Sequence, residues 1–223
     1  MAQTRWGIIG PGAIAHNFAD GLAESTAGVL VAIAGRDATR RNAFGDQFGI
    51  AVDRRHMSPE SLLADPGVDA VYISTPHPWH AELAIAALRA GKAVLVEKPA
   101  GLNAAEVTAV TEVAAQTGRF FMEGFMYRLH PQIARVLEVI RSGGIGEVHH
   151  IRTAFGFHAA PSPGSRLYEK ALAGGGILDV GGYPVSLARL IAGAAAGQPF
   201  ADPVTVKGTG IIGATGVDEV AYG

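Results

Sequence analysis

Short apolar stretches alternate with longer segments of helical periodicity along the first half of the chain. Strands are predicted where apolar residues run together, in RWGIIG, GVLVAIAG, VDAVYIST, AVLVEKP and RFFMEGF. Between the first two of these stretches, Ile14, Phe18 and Leu22 recur at the spacing of one helix face. Strand–helix alternation of this kind predicts a parallel sheet with helices on both faces.

A different pattern follows. The segments PQIARVLEVIRSGG and ILDVGGYPVSLARLIAG predict helices, and VTVKGTGII with VDEVAYG predicts a hairpin. The segment GEVHHIRTAFGFH alternates as a strand does, with Val148, His150 and Arg152 on one face. We therefore expect an α/β protein of two domains: a doubly wound parallel sheet at residues 1–125, and a partial α+β domain with an open, mainly antiparallel sheet at residues 126–223.

Composition narrows the class of protein. Of 223 residues, 48% are apolar and 17% charged, which is enough apolar material for a packed core. The net charge of −2 comes without a basic block, so neither nucleic acid nor an anionic membrane is an expected partner. The absence of cysteine excludes disulfides and thiolate metal sites. Because the chain has no apolar run of ~18 residues and no signal-peptide pattern, we expect a cytoplasmic protein.

A glycine-rich turn follows the first predicted strand. Gly10, Gly12, Ala13, Ile14 and Ala15 belong to a G-x-G-x-x-A pattern that ends the strand and opens the first helix. Glycines there allow a tight turn and a close approach of the backbone to a pyrophosphate, and the helix N-terminus attracts the anion. The pattern predicts a dinucleotide site; the alternative is an ordinary strand–helix turn that uses glycine.

The second strand ends in IAGRD, where an NAD site commonly places a carboxylate on the ribose. Here Arg36 follows the strand, and Arg40 and Arg41 come one turn later. An arginine at this place accommodates a 2′-phosphate, so NADP is the predicted cofactor and NAD the alternative. Asp37 is predicted to cap the next helix. Arg36 could otherwise be a surface charge only.

The chain resembles the oxidoreductase family named after glucose–fructose oxidoreductase, inositol dehydrogenase and MocA. The resemblance covers nearly the whole chain, in GIIGPGAIA, STPHPWHAELAIAALRAGKAVLVEKP, MEGFMYRLHP and GGGILDVGGYP. It implies an N-terminal Rossmann domain followed by a substrate domain. Family members are longer, and this sequence stops inside VDEVAYG. We therefore expect a fragment, a protein completed by another chain, or a shortened relative of doubtful activity. The resemblance also implies a homo-oligomer through the open sheet of the second domain.

The segment Glu97–Lys98–Pro99 is predicted at the carboxyl end of a parallel strand, where ligands bind in open α/β sheets. Pro99 favours an extended Lys98, and the bond between them can adopt cis. A lysine there can hold a substrate hydroxyl and supply positive charge beside a developing alkoxide. The alternative is a solvated lysine at a strand end.

Asp179 and Tyr183 are four residues apart, so a helix would place them on one face. The resemblance implies that this face borders the catalytic cleft, with Tyr183 as general acid/base and Asp179 bonding the substrate or orienting Lys98. A phenol has a pKa of about 10, and an adjacent ammonium favours its ionised form. Many family members have histidine at this position, which leaves Lys98 as the other candidate for proton transfer. Pro184 predicts a kink or a helix start, and a hydrogen-bonded structural Asp–Tyr pair is the alternative.

The remaining site residues follow from the resemblance. Thr75, His77 and His80 are expected beside the cofactor ribose and nicotinamide, with Glu97 near them. His80 could equally be a hydrogen-bonded histidine at a helix start. Arg128 is expected at the nicotinamide or the substrate. No metal is expected, because His149, His150 and His158 lack the spacing of a metal site.

Three functions remain open from the sequence. The first is an NADP-dependent dehydrogenase that acts on a carbohydrate or on a cyclic diol. The second is a non-catalytic NADP-binding regulator on the same fold, although this chain keeps Lys98, Asp179 and Tyr183. The third is a reductase of a non-sugar C=O or C=N bond.

Overall fold

The computed structural model describes residues 3–160, 162 and 164–223. Contacts divide the chain into two compact units, Met1–Gly124 and Phe125–Gly223. Each unit is described by itself. No helix among the described residues is both long enough and apolar enough to cross a membrane.

The first unit alternates strands and helices, as the apolar pattern predicts. Its strands are β1 (Thr4–Ile9), β2 (Gly28–Ala34), β3 (Arg55–His56), β4 (Ala70–Ile73), β5 (Ala93–Val96) and β6 (Phe121–Glu123). Its helices are α1 (Ala13–Ala23), α2 (Ala38–Gln47), α3 (Pro59–Leu63), α4 (His80–Arg89) and α5 (Ala104–Thr117). The short elements β3 and α3 lie outside the sequence prediction, because neither is long enough to show a period.

All six strands form one parallel sheet in the order β3-β2-β1-β4-β5-β6. The chain moves outward in one direction from β1 to β3 and then returns to add β4 on the other side of β1. In doubly wound sheets, ligands bind at the carboxyl ends of the two strands on either side of this reversal. The predicted fold class is confirmed.

Two apolar clusters cover the two faces of the sheet. The larger contains residues of β4, β5, α4 and α5, including Ile73, Ala84, Leu88, Val94 and Val110. The smaller packs α1 and α2 on the sheet through Ile8, Ala15, Ile33, Phe44 and Tyr72. Ala15 is fully buried where α1 packs on the sheet.

Capping residues set where the helices begin. Asp37 accepts a hydrogen bond from the Arg40 amide and caps α2, as its position predicts. Asn103 caps α5 through the Glu106 amide, and the Glu106 carboxylate reaches back to the Asn103 side chain. Gly91 follows α4 with φ at +79°, a conformation that glycine adopts without strain.

The second unit contains helix α6 (Pro131–Arg141), a π-helical turn (Ile177–Gly181), helix α7 (Gly182–Ala195), and strands β7 (Thr209–Ile212) and β8 (Asp218–Tyr222). The two strands pair antiparallel, so the predicted hairpin is confirmed. The predicted strand GEVHHIRTAFGFH is wrong: residues 146–158 carry no strand in the described part of the chain. Alternating side chains are not sufficient, since a strand also needs a neighbour for its backbone hydrogen bonds.

Ion pairs collect at the amino-terminal edge of the parallel sheet. Arg5 donates from its side chain to both carboxylate oxygens of Asp69, at 2.9 and 2.7 Å. These bonds lower the pKa of Asp69 to about 2. The Lys92 ammonium is buried against the carbonyls of Asp65 and Val68, and this burial lowers its pKa. This edge is therefore held by salt bridges and carbonyl contacts.

We expect Asp69→Asn to lower the free energy of unfolding by less than about 1 kcal/mol at pH 7, because both partners are about half exposed. A carboxylate with a depressed pKa stabilises the fold above its unfolded value of 3.8, and that contribution is lost as the pH falls toward about 2. Urea unfolding should therefore show the difference from wild type shrinking between pH 4 and pH 2. Asp20→Asn is the control, and a difference that does not change with pH would contradict the assignment.

Candidate functional site

The carboxyl end of β1 is closed by a turn that favours glycine at residue 10. Gly10 has φ at +101°, and its amide donates to the Ala34 carbonyl of β2. A Cβ at Gly10 would lie 3.1 Å from the carbonyl carbon and oxygen of Ser74, which follows β4. The backbones leaving β1 and β4 thus approach each other at the reversal point of the sheet.

Helix α1 begins directly after this turn, with its N-terminus open. Gly12 is the N-cap residue, and among the described residues no side chain caps the helix and no acidic residue lies in its first turn. A Cβ at Gly12 would find its nearest neighbour only at 4.0 Å. The amides of Ala13 and Ile14 lie in this first turn, where helix amides lack intrahelical partners. The arrangement fits a pyrophosphate anion, as a dinucleotide would supply.

The segment after β2 carries the arginines that are predicted to bind the 2′-phosphate of NADP. Arg36 is exposed, and its guanidinium lies 5.8 Å from the centre of the Trp79 ring. Arg40 is also exposed, with Nε 3.7 Å from the Asp37 carboxylate. The pKa of Asp37 is lowered, chiefly by the hydrogen bond from the Arg40 amide. Asp37 therefore stays ionised while its carboxylate serves as a helix cap.

Arg41 is the buried member of the arginine group, and the predicted site does not include it. Its Nη1 donates to the Gly35 carbonyl at 2.6 Å, and its Nε has no partner among the described residues. A Cβ on Gly35 would collide with the ring of Pro11. Arg41 and Pro11 therefore fix the backbone from which Arg36 extends. The available signal is the spacing of three between Arg41 and Phe44 on α2, which places the arginine on the inward face.

The segment after β4 supplies Thr75, His77 and His80. The Thr75 hydroxyl is buried and has no hydrogen-bond partner among the described residues. His77 is buried, and its ring centre lies 5.8 Å from that of His80. His80 is 1% exposed, and both of its ring nitrogens contact backbone carbonyls. This geometry agrees with the second alternative for His80, a hydrogen-bonded histidine at a helix start.

The segment after β5 carries Glu97 and Lys98. Glu97 accepts a hydrogen bond of 2.6 Å from the hydroxyl of buried Tyr72 on the neighbouring strand. Lys98 is half-buried, and the Lys98–Pro99 peptide bond is cis. The next amide, of Ala100, donates to the Glu123 carboxylate at 2.8 Å. In the first unit the structure thus brings the ends of β1, β4 and β5 together with their predicted site residues.

Asp179 and Tyr183 belong to the second unit. Asp179 lies in the π-helical turn, is buried, and accepts a hydrogen bond of 3.0 Å from Arg166 Nη1. The side chain of Arg166 is half exposed. Arg166 comes from a loop without periodicity, so no pattern in the sequence could identify it as the partner of Asp179.

Tyr183 stands in the first turn of α7 within an aromatic group. Its ring centre lies 5.4 Å from Phe125, 6.0 Å from Tyr127 and 5.3 Å from Phe155. The π turn and α7 are continuous, and Pro184, the third residue of α7, lacks the amide that would otherwise bond back to the π turn. The predicted helix is therefore confirmed, with a π turn where the sequence predicts a kink or a start.

Arg128 is exposed in the second unit, on a short helical turn at Met126–Leu129. Its guanidinium lies 4.6 Å from the centre of the Phe200 ring. A cation over an aromatic face is held in place while its N–H groups at the edge stay available to a ligand.

Two family models match the chain. Residues 4–125 match the Gfo/Idh/MocA oxidoreductase family model with its NAD-binding Rossmann fold. Residues 133–222 match the C-terminal domain model of the same family.

Individual oxidoreductases are also similar to this chain in sequence and in structure. A trans-1,2-dihydrobenzene-1,2-diol dehydrogenase from Mus musculus is 38% identical over 96% of this chain. An aldose–aldose oxidoreductase from Caulobacter crescentus, solved with glycerol, has a TM-score of 0.87 at 26% identity, covering 99% of this chain and 66% of its own. A 3-ketoreductase from Actinomadura kijaniata, solved with NADP and TDP-benzene, has a TM-score of 0.74 at 34% identity, covering 86% and 58%. The chain spans 62% of the length of the mouse relative.

The two glycines of the turn should respond differently to substitution. We expect Gly10→Ala to destabilise the fold by about 1–3 kcal/mol, because alanine at φ +101° is strained and its Cβ meets the Ser74 backbone. Gly12→Ala should cost less than about 1 kcal/mol, since Gly12 has φ at −91° and open space around it. Urea unfolding of both variants makes the comparison, and equal losses would contradict the close approach at Gly10.

Proposed function

Because the chain belongs to the Gfo/Idh/MocA oxidoreductase family, we propose that it is an NADP-dependent dehydrogenase acting on a CH–OH group of a sugar or cyclic diol. One observation carries the proposal. The open N-terminus of α1 lies at the reversal point of the sheet, and the strand beside β1 ends in an exposed arginine where an NAD site commonly has a carboxylate.

The preference for NADP rests on charge at the end of β2. Arg36 and Arg40 are exposed and can donate to a 2′-phosphate, which arginine recognises through paired N–H groups. Asp37 is the one acidic side chain in this turn, and its carboxylate is engaged with the Arg40 amide. A dianionic 2′-phosphate would therefore bind beside two arginines. The Asp37 carboxylate, which would repel it, is already partly neutralised by its hydrogen bond.

The chemical roles follow from residue type. When bound, nicotinamide would accept a hydride from the carbinol carbon or, in the reverse direction, donate one to the carbonyl carbon. We assign Tyr183 as the group that takes the hydroxyl proton, and Lys98 as the ammonium that favours the ionised phenol and the alkoxide. Asp179 is assigned to hold a substrate hydroxyl or to orient Lys98. Thr75, His77 and Arg128 are assigned to the ribose and nicotinamide, with Glu97 holding the Lys98 segment through Tyr72.

The substrate class is inferred from relatives. The mouse protein is named for a cyclic diol, and the Caulobacter crescentus structure for aldoses. The likeness to a ketoreductase solved with NADP favours a second candidate, in which the same hydride step runs from cofactor to a keto group.

Assembly into a homo-oligomer through the sheet of the second unit is part of the proposal. The hairpin β7–β8 carries exposed apolar side chains at Ile211, Ile212, Val220 and Tyr222. Covering such a surface with a second copy of the chain would remove apolar area from water.

Binding of NADPH and NADH tests the cofactor assignment. We expect the chain to bind NADPH at least about tenfold more tightly than NADH, and Arg36→Gln to weaken NADPH alone by about tenfold. Nicotinamide fluorescence measures both affinities. Arg89→Gln, an exposed arginine on α4, is the matched control. Equal weakening of both nucleotides by Arg36→Gln would contradict a 2′-phosphate contact.

Turnover of aldoses and cyclic diols tests the catalytic assignment. Lys98→Met and Tyr183→Phe should each lower kcat by about 100-fold or more, since each removes a proton-transfer or charge-stabilising group. NADPH affinity should stay within about threefold of wild type. Lys207→Met and Tyr222→Phe alter exposed residues of the same types and should leave kcat unchanged. Full activity of Tyr183→Phe would assign proton transfer to Lys98 instead.

A further inference from the structure

His80 lies between the two segments that carry the predicted site residues of the first unit. It is the first residue of α4, and its ring is almost completely buried. Its Nδ1 lies 2.8 Å from the Pro99 carbonyl, and its Nε2 lies 2.6 Å from the Thr75 carbonyl. One side chain therefore joins the backbone after β4 to the backbone after β5.

Both contacts are made to oxygen atoms that can only accept. A neutral imidazole has one N–H donor and one bare nitrogen, so one of the two contacts would place a lone pair against a carbonyl. The doubly protonated ring has two donors and satisfies both carbonyls. The geometry therefore selects the imidazolium.

A buried cation requires compensating negative charge. The Pro99 carbonyl that receives His80 Nδ1 belongs to the same peptide group as the Ala100 amide, which donates to the Glu123 carboxylate at 2.8 Å. The imidazolium, the peptide group and the carboxylate are therefore joined by two successive hydrogen bonds. Hydrogen bonds in such a chain polarise one another, so the peptide conveys part of the Glu123 charge to His80.

We propose that doubly protonated His80 and ionised Glu123 are positioning residues that grip the Pro99–Ala100 peptide from both sides. The two contacts fix the backbone beside Lys98, and the second contact of His80 links that backbone to Thr75, which follows the neighbouring strand β4. Neither residue is assigned to touch the reacting atoms. That these residues position Lys98 for catalysis rests on the proposed function, whereas their contacts with the Pro99–Ala100 peptide do not.

Nitrogen NMR of the chain labelled with ¹⁵N-histidine tests the protonation state. At pH 7, without nucleotide, one of the eight histidines should show hydrogen on both ring nitrogens in slow exchange with water, and His80→Gln should remove that pair of signals. Glu123→Gln keeps an oxygen for the Ala100 amide but removes the charge, and should return the His80 ring to the singly protonated form. A bare nitrogen on His80 in the wild-type chain would overturn the imidazolium. An unchanged ring in Glu123→Gln would overturn the part assigned to Glu123.

Amide hydrogen exchange tests the positioning role. His80→Gln should speed exchange of the Ala100 amide at least tenfold, while the Val94 amide, bonded to Phe120 within the sheet, changes less than threefold. His56→Gln is the matched control, because it removes a partly buried histidine bonded to Asp65 and should leave Ala100 unchanged. Equal acceleration at Ala100 and Val94, or none at Ala100, would overturn the positioning role.

These measurements separate the inference from the proposed function. They use the chain without nucleotide or substrate, so failure of NADPH to bind would contradict the proposed function and leave the His80 result standing. Where the chain turns over substrate, His80→Gln should lower kcat at least tenfold with KM for the substrate changed less than threefold. An unchanged kcat in His80→Gln would show that the contacts of His80 do not position Lys98 for catalysis.

Discussion

The close approach of the backbones leaving β1 and β4 is the constraint on which the rest of the first unit depends. A Cβ at Gly10 would lie 3.1 Å from the Ser74 carbonyl at a φ of +101°, so any other residue would strain the turn. Helix α1 follows this turn directly, and its N-cap residue Gly12 has no side-chain cap and open space beside it. The same reversal point brings Thr75 and the Lys98 segment to one edge of the sheet. The open N-terminus of α1 and its proximity to the segments after β4 and β5 therefore follow from one packing requirement.

The acidic groups at the carboxyl edge of the sheet share a property that suits an anionic ligand. Asp37, Glu97 and Glu123 each accept a hydrogen bond from a donor of the protein: the Arg40 amide, the Tyr72 hydroxyl and the Ala100 amide. These three carboxylates are engaged in hydrogen bonds that hold helices and loops in place. Arg36 and Arg40 remain exposed at the same edge. At the amino edge, the positive groups Arg5 and Lys92 are instead engaged with carboxylate and carbonyl oxygens.

Local patterns in the sequence predict most of the first unit, because each element there is decided by neighbouring residues. The caps at Asp37 and Asn103 and the glycine turn are of this kind. Contacts between distant residues leave no such trace: the Glu97–Tyr72 bond and the Arg166–Asp179 pair become visible only in the fold. The strand predicted at residues 146–158 is wrong for the same reason, since its formation depends on a partner that local alternation does not report.

The central claim is that the carboxyl edge of the sheet binds a nicotinamide dinucleotide, and amide NMR of the chain titrated with NADPH tests it most directly. The account predicts that the amide signals of Gly12, Ala13, Ile14 and Thr75 shift in a saturable manner, while those of Asp69 and Lys92 at the opposite edge do not. Saturable binding that leaves the α1 N-terminus unchanged, or shifts confined to the opposite edge, would contradict the claim.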